Sequence, residues 1–182
     1  MYEDLLEKKL RSENIYDGVL LHVRRDTVTL PNGREAVREW VRHPGASAVL
    51  PVFEDGTVLL VRQYRYPVDR VTLEIPAGKL DFPKEDPLAC AVRELSEETG
   101  YTAKYWAKLT TIGTTVGFSN EYIHIYAAHD LQAGEQHTDD DEFIHVVKMP
   151  LEEAVERVKA GEIFDAKSVT AILMTALGKA KH

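Results

Sequence analysis

The sequence of 182 residues contains a single cysteine, Cys90, so it has no intrachain disulfide. That fits a reducing compartment, and the cytoplasm is the expected location. No apolar run approaches the roughly 18 residues that a membrane-crossing helix needs. The first residues, MYEDLLEKKLRSENIYDG, are charged and lack the apolar stretch of a secretory signal. Basic residues are in the minority: 22 Lys and Arg against 30 Asp and Glu give a formal net charge of -8. A chain this acidic lacks the electrostatic footprint of a binder of nucleic acid or anionic membrane. If it handles a polyanion, Arg, Lys or bound cations must gather at one place. Internal repeats, low-complexity tracts and linker-like stretches are missing too.

What is present is an ordinary globular composition, 44% hydrophobic and 29% charged, on a chain long enough for a well-buried core. GVLLHVRRDTVTL and REAVREWVRH flank the turn signal Pro31-Asn32-Gly33 and predict a β-hairpin over 17–43. The nearly all-apolar stretch 46–53 predicts a buried central strand, with another after Glu54-Asp55-Gly56. VTLEIPAGKL predicts one short strand that turns at Pro76 and Gly78. Pro87 opens a helix that runs to Thr99 and stops at Gly100. Strands over YWAKLTTIGTTVG, YIHIYAAHDL and EFIHVVKMP follow, then two helical segments, LEEAVERVKAG and DAKSVTAILMTALGKAK. This order predicts a mixed-sheet α/β or α+β sandwich.

The central helix carries an unusual charge pattern. At about 3.6 residues per turn, Leu88, Ala91, Val92, Leu95 and Thr99 share one side and are expected to pack on the sheet. Glu94, Glu97 and Glu98 fall within roughly 100° on the other side. Glu94 and Glu98, at i,i+4, repel by about 0.2–0.5 kcal/mol. Glu97 and Glu98 also sit at the end where the helix dipole disfavours negative charge. On these residues alone two readings stay open. One is a solvated face with Arg93 bridging to Glu97. The other is a metal site, where a hard divalent cation removes the repulsion.

Gly78, Glu85, Arg93-Glu94, Leu95, Glu97-Glu98, Gly100 and Tyr101 together resemble the signature of the Nudix hydrolases, over about 24 residues. One departure is a longer loop: six residues, not five, separate Gly78 from Glu85, with the extra one placed around Phe82-Pro83. The resemblance implies an α/β fold, an α/β/α sandwich on a mixed sheet over 46–182. It places ahead of that an N-terminal β-hairpin extension, 1–45, for dimerisation and substrate contacts. It implies an enzyme in which water attacks a phosphorus of a nucleoside diphosphate linked to another moiety, with Mg²⁺ as cofactor and Mn²⁺ as a substitute. Glu94, Glu97 and Glu98 are the implied metal ligands, joined by the backbone carbonyl of Ala77. Glu97 is also carried among the catalytic groups, while Arg93 is expected to brace a glutamate and the loop.

The flanks HPGASAVLPV, VRQYRYPVDRVTLEIPAGKL and GFSNEYIHIYAA resemble the ADP-ribose pyrophosphatase branch of that family. In that branch the arginine here numbered Arg65 approaches the substrate phosphates. Glu74, on the strand leading into the site, and Arg38 are further substrate-binding candidates. Trp40, like Tyr16, is an N-terminal aromatic of the kind that stacks on a nucleobase. Glu142 is the candidate base in DDDEFIHV, with Asp140 and Asp141 as rivals. Val116 replaces a proline usual in that branch, which leaves room for broader sugar-nucleotide specificity. The implied partner is a small nucleoside diphosphate sugar, with no nucleic acid or membrane, in a homodimer. The alternatives are a Nudix hydrolase of another nucleotide and a non-hydrolytic sensor of ADP-ribose. Sensors typically carry degenerate signatures, whereas Arg93-Glu94 and Glu97-Glu98 are complete. His43, His124 and His145 are expected to be structural, and Cys90 lacks a partner for thiolate chemistry.

Overall fold

A computed structural model describes residues 2–81, 85–138 and 142–178. Phe82-Pro83, Asp140 and Asp141 lie outside the described residues. The chain divides into two units.

The first unit comprises residues 1–44 and 113–121. Its sheet holds three antiparallel strands in the order β1 (Lys8–Asp17), β2 (His22–Thr29), β3 (Glu35–Arg42). The hairpin expected over 17–43 is β2 with β3, turned at Gly33, whose N–H donates to the Leu30 carbonyl. β1 is an addition to it. Every residue of β1 is exposed, so the strand carries no period-two pattern of burial to read in advance. The segment 113–121 joins this unit from far along the chain. Val41 N–H donates to the Phe118 carbonyl at 2.8 Å, and His43 N–H donates to Asn120 Oδ1, 77 positions away, at 2.8 Å.

The second unit comprises residues 45–112 and 122 onward. Its strands are β4 (Ala46–Pro51), β5 (Thr57–Arg65), β6 (Arg70–Glu74), β7 (Ala77–Lys79), β8 (Tyr101–Gly113), β9 (Tyr122–Ala133) and β10 (His145–Pro150). Its helices are α1 (Pro87–Thr99), α2 (Leu151–Lys159) and α3 (Ala166–Ala176). One sheet runs β7-β4-β9-β8 and the other β10-β5-β6. β4 pairs parallel with β9 and antiparallel with β7, which makes the first sheet mixed. Side chains alternate across β4 and build both layers of core. Ala46, Ala48 and Leu50 pack with Ala154 of α2 and with Ala171 and Ile172 of α3. Val49 packs with Ala91 and Leu95 of α1 and with Tyr126 and Ala128 of β9. With α1 on one face and α2 and α3 on the other, the unit is an α/β/α sandwich. Among the described residues no helix is long and apolar enough to cross a membrane.

Two expectations need correction. VTLEIPAGKL is two strands in two sheets, β6 and β7, divided at Ile75-Pro76. Pro76 has no N–H for a ladder, and its carbonyl accepts from Val49 N–H at 2.9 Å as the chain crosses over. The face that α1 buries is also rotated from the one expected. Cys90, Ala91, Glu94, Leu95, Glu98 and Thr99 are buried, whereas Leu88 and Val92 are exposed. Two of the glutamates therefore point inward. β7 makes this possible, because Ala77 and Gly78 present backbone and little side-chain bulk to that side of the helix.

Candidate active site

The ends of α1 are set by local chemistry. The Asp86 carboxylate accepts from the N–H groups of Leu88 and Ala89 at 2.9 and 3.2 Å, with Pro87 opening the first turn. Gly100 stops the helix in the left-handed region, at φ 74°, and its N–H returns to the Ser96 carbonyl. A side chain there would also meet the backbone N of Gln136 at 2.8 Å. Between these ends Glu94 and Glu98 reach β7. The Glu94 carboxylate lies so close that a Cβ on Gly78 would stand 1.8 Å from its Oε1. Glu98 Oε2 accepts from Ala77 N–H at 3.2 Å. Burial, reinforced by the charge of Glu94, pushes the Glu98 carboxyl up to about 8. Burial likewise raises Glu94 to about 6 against the opposing pull of Arg93.

Arg93 holds the outer part of the cluster. It forms a two-pronged pair with Glu85 at 3.0 and 3.1 Å and donates through Nη1 to Glu94 at 2.7 Å and to Glu97 at 2.9 Å. A further N–H reaches the Lys79 carbonyl at 3.3 Å, so Arg93 braces both glutamates and loop. Glu85 also accepts from Asp81 N–H at 2.8 Å, and its link to the helix runs through Arg93. Those Arg93 hydrogen bonds hold the Glu85 carboxyl below its ordinary range. Cys90 Sγ is buried under the same loop, 3.5 Å from the Lys79 carbonyl, and burial raises its thiol to about 12.

Arg65 ends β5 and Glu74 ends β6. Arg65 Nε and Nη2 donate to the two Glu74 oxygens at 2.9 and 2.8 Å. Thr72 donates to Glu74 Oε1 at 2.6 Å, and Lys167 of α3 closes the group through Glu74 Oε2. Burial pushes the Glu74 carboxyl upward, but Arg65, Lys167 and Thr72 together bring it down to about 2. The charge of Glu98 acts on Arg65, and that of Lys167 acts on Glu98, so this group and the α1 carboxylates share one field. Lys167 is absent from the residues picked out by sequence. A lone lysine in an apolar helix pattern, DAKSVTAILM, was the available signal.

Glu142 is exposed in the described part of its loop, and its charge contributes to raising both Glu94 and Glu98. The start of that loop is stitched to the end of α1. Gln136 Nε2 donates to the Glu98 carbonyl at 2.7 Å and to the Ile144 carbonyl at 3.4 Å, and His137 N–H donates to the Glu97 carbonyl at 3.0 Å. These bonds satisfy carbonyls that the helix end leaves open. Gln136, too, was missed by sequence reasoning.

Arg38 and Trp40 belong to β3 in the first unit. Arg38 is exposed and paired with Glu7, and Trp40 Nε1 donates to buried Asp26 at 3.0 Å. Of the histidines, His43 stands 3.5 Å from Glu121, and His124 stands 3.0 Å from Thr111. His145 pairs across the ladder with Arg62.

Residues 41–171 match the NUDIX domain family. The chain belongs to the Nudix family. Residues 7–41 additionally match the family described as nucleoside diphosphate sugar hydrolase N-terminal domain. Among Nudix relatives, an ADP-ribose pyrophosphatase of Bacillus subtilis is 42% identical, over 98% of this chain and 97% of that protein. A methanol dehydrogenase activator of Bacillus methanolicus is 41% identical, over 97% of this chain and 96% of that protein. A crystal structure of an ADP compounds hydrolase shares the fold with TM-score 0.83 at 24% identity, covering 95% of this chain and 94% of that one.

Nudix hydrolases generally use divalent metal ions, and the α1 cluster fits such an ion. Its donors are all oxygens, the set preferred by hard cations. Glu98 is nearly fully buried and, among the described residues, has one hydrogen-bond donor, Ala77 N–H. Burial raises Glu94 to about 6 in spite of Arg93, whose charge is divided among Glu85, Glu94 and Glu97, and raises Glu98 to about 8. Among the described residues no three acidic, histidine or cysteine side chains converge as they stand. Glu97 is the most exposed of the three and shares Arg93 Nη1 with Glu94.

Proposed function

We propose that this Nudix hydrolase cleaves the diphosphate bond of nucleoside diphosphate sugars, with ADP-ribose giving AMP and ribose 5-phosphate. Mg²⁺ is the cofactor and Mn²⁺ a substitute. The observation that carries the reading is the buried pair Glu94 and Glu98: Glu94 shares the one charge of Arg93 with Glu85 and Glu97, no ion pair to Glu98 is found among the described residues, and the charge of Glu98 acts on Arg65. The substrate class is supported by the family matched over 7–41 and by the name of the Bacillus subtilis relative.

In this reading Glu94, Glu97 and Glu98, with the Ala77 carbonyl, hold the cation. When bound, the metal neutralises the diphosphate and lowers the barrier to attack by water. Arg65 donates to a phosphate oxygen, adding fixed positive charge where negative charge builds up. Glu142 takes the proton from the attacking water as its oxygen bonds to phosphorus, and Glu97 assists. The P–O bond to the departing phosphate then breaks. Arg38 and Trp40 are further substrate contacts in this proposal, for phosphate and base. The first unit also supports a homodimer: Leu10, Ile15, Tyr16, Leu20, Leu21 and Val37 are all exposed, and β1 is an edge of its sheet with no further strand beside it among the described residues. A second copy of the chain is the partner, with no role for nucleic acid or membrane, and the cytoplasm is the location that a lone buried thiol suits.

Incubating the purified chain with ADP-ribose, UDP-glucose, GDP-mannose and dGTP in excess Mg²⁺, and resolving products by phosphorus NMR, tests the reading. AMP with ribose 5-phosphate is the expected outcome. No turnover of any diphosphate sugar overturns it.

A further inference from the structure

α3 begins against the end of β6. Lys167, in its first turn, is 9% exposed, a position where an unpaired ammonium is costly. It pairs with Glu74 Oε2 and with Asp165 Oδ1, the latter at 2.8 Å. The next residue, Ser168, accepts from Ile75 N–H at 2.8 Å, so two successive side chains of α3 fix two successive residues at the end of β6. The Glu74 carboxylate thereby receives four hydrogen bonds, from Thr72, Lys167 and twice from Arg65. That fills the capacity of a carboxylate, and none is left for a ligand. Arg65 is different. Its Nε and Nη2 are held by Glu74, Nη1 has no hydrogen-bond partner among the described residues, and the side chain is 41% exposed. The guanidinium is gripped along one edge and open at the other.

We propose that Lys167 and Glu74 are positioning residues that act through Arg65: Lys167 locks the Glu74 carboxylate from behind, and Glu74 presents the free end of Arg65 to a phosphate oxygen of the substrate. The inference rests on the reading of Arg65 as a phosphate contact and moves Glu74 from contacting the substrate to aiming Arg65. Without Lys167 the carboxylate is released on one side and turns with the arginine. The rotamer freedom thus regained by Arg65 has to be given up again whenever substrate binds.

The test compares Lys167→Met, Lys167→Arg and Asp165→Asn, each alone and with Arg65→Ala, for ADP-ribose hydrolysis with Mg²⁺. Lys167→Met is expected to raise KM roughly tenfold, the size of one immobilised side chain, with kcat within about threefold of wild type. Lys167→Arg restores most of the loss. Asp165→Asn keeps the helix cap, since Asn caps as well as Asp, and raises KM about threefold by loosening Lys167. In the Arg65→Ala background neither change moves KM further. A KM that stays at the wild-type value in a folded variant, or that rises equally with and without Arg65, overturns the proposal. Should Lys167→Met fail to fold, Asp165→Asn decides. The ¹⁵Nε–H resonance of Arg65, recorded without substrate, is an independent arm: sharp in wild type and Lys167→Arg, broadened in Lys167→Met. If that resonance responds but wild type hydrolyses no diphosphate sugar, the functional reading fails and the grip on Arg65 is supported. If wild type is active and neither resonance nor KM responds, the grip is refuted.

Discussion

Glu74 and Glu98 are the same residue type at nearly the same burial, 3% and 2% exposed, yet their carboxyl groups shift in opposite directions. At Glu98 burial and the neighbouring charge of Glu94 raise the group to about 8. At Glu74 burial also pushes upward, but Arg65, Lys167 and Thr72 more than offset it and bring the group to about 2. Burial sets the penalty on a charge, and the partners decide whether the charge is kept. The β5–β6–α3 region balances its own charge and is finished as it stands. The inner face of α1 is left short of positive charge, which is what a site for an external cation requires.

The predictions follow this contrast. Glu98→Gln is expected to lower hydrolysis roughly 100-fold or more, since even groups behind a metal ligand matter at up to that level. In metal-free buffer its urea midpoint stays level or rises, because a neutral amide costs less to bury than a carboxylate. A wild-type rate would remove Glu98 from the ligands. Glu74→Gln is expected to act the other way on stability, with a loss of roughly 3 kcal/mol at pH 7, because it breaks a buried pair, leaving Lys167 with Asp165 alone and Arg65 without its carboxylate. The folded Glu74 group, at about 2, lies below its ordinary value of 4.5. Its contribution is therefore full above that ordinary value and is lost as pH falls from 4.5 toward 2. Urea titrations of wild type and variant should converge across that window. A gap that ignores pH would contradict the ion-pair account.

Gly78→Ala comes next. Its new Cβ meets Glu94 Oε1 at 1.8 Å, and displacing that carboxylate should cost about 1–3 kcal/mol of overpacking. It should also raise the Mg²⁺ concentration needed for half-maximal rate. An unchanged Mg²⁺ dependence would show that Glu94 does not have to sit against the loop. The smallest effect concerns Cys90, whose thiol is buried and raised to about 12. Iodoacetamide at pH 8 should leave it unlabelled in the folded chain and label it in urea, as read by mass spectrometry. Labelling under native conditions would mean that the loop over α1 opens readily.

Much of the fold could be read in advance where the signal is local. The span of α1 follows from Pro87 and Gly100, and the buried central strand from a nearly all-apolar run. The acidic trio was visible as a conflict between charge and helix, and its match to the Nudix signature named the family. The direction in which the trio faces was not visible. Helical spacing put Leu88 and Val92 on the packed side and the acids outside, yet β7 passes over α1 as nearly bare backbone and takes Glu94 and Glu98 inward. A hydrophobic pattern assumes that what is buried is apolar, and it errs at the place where a functional site departs from that rule.

The sequence by itself determined the ends of α1, the strand periods and the spacing of the signature, because caps, turns and periodicity depend on residues within a few positions of one another. Only the tertiary structure decided which face of α1 is buried and how VTLEIPAGKL is shared between two sheets. It alone brought Lys167 to Glu74, 93 positions away, to complete the grip on Arg65. Pairings across such distances are made by the packing of whole layers and leave no mark on the residues beside them in the chain.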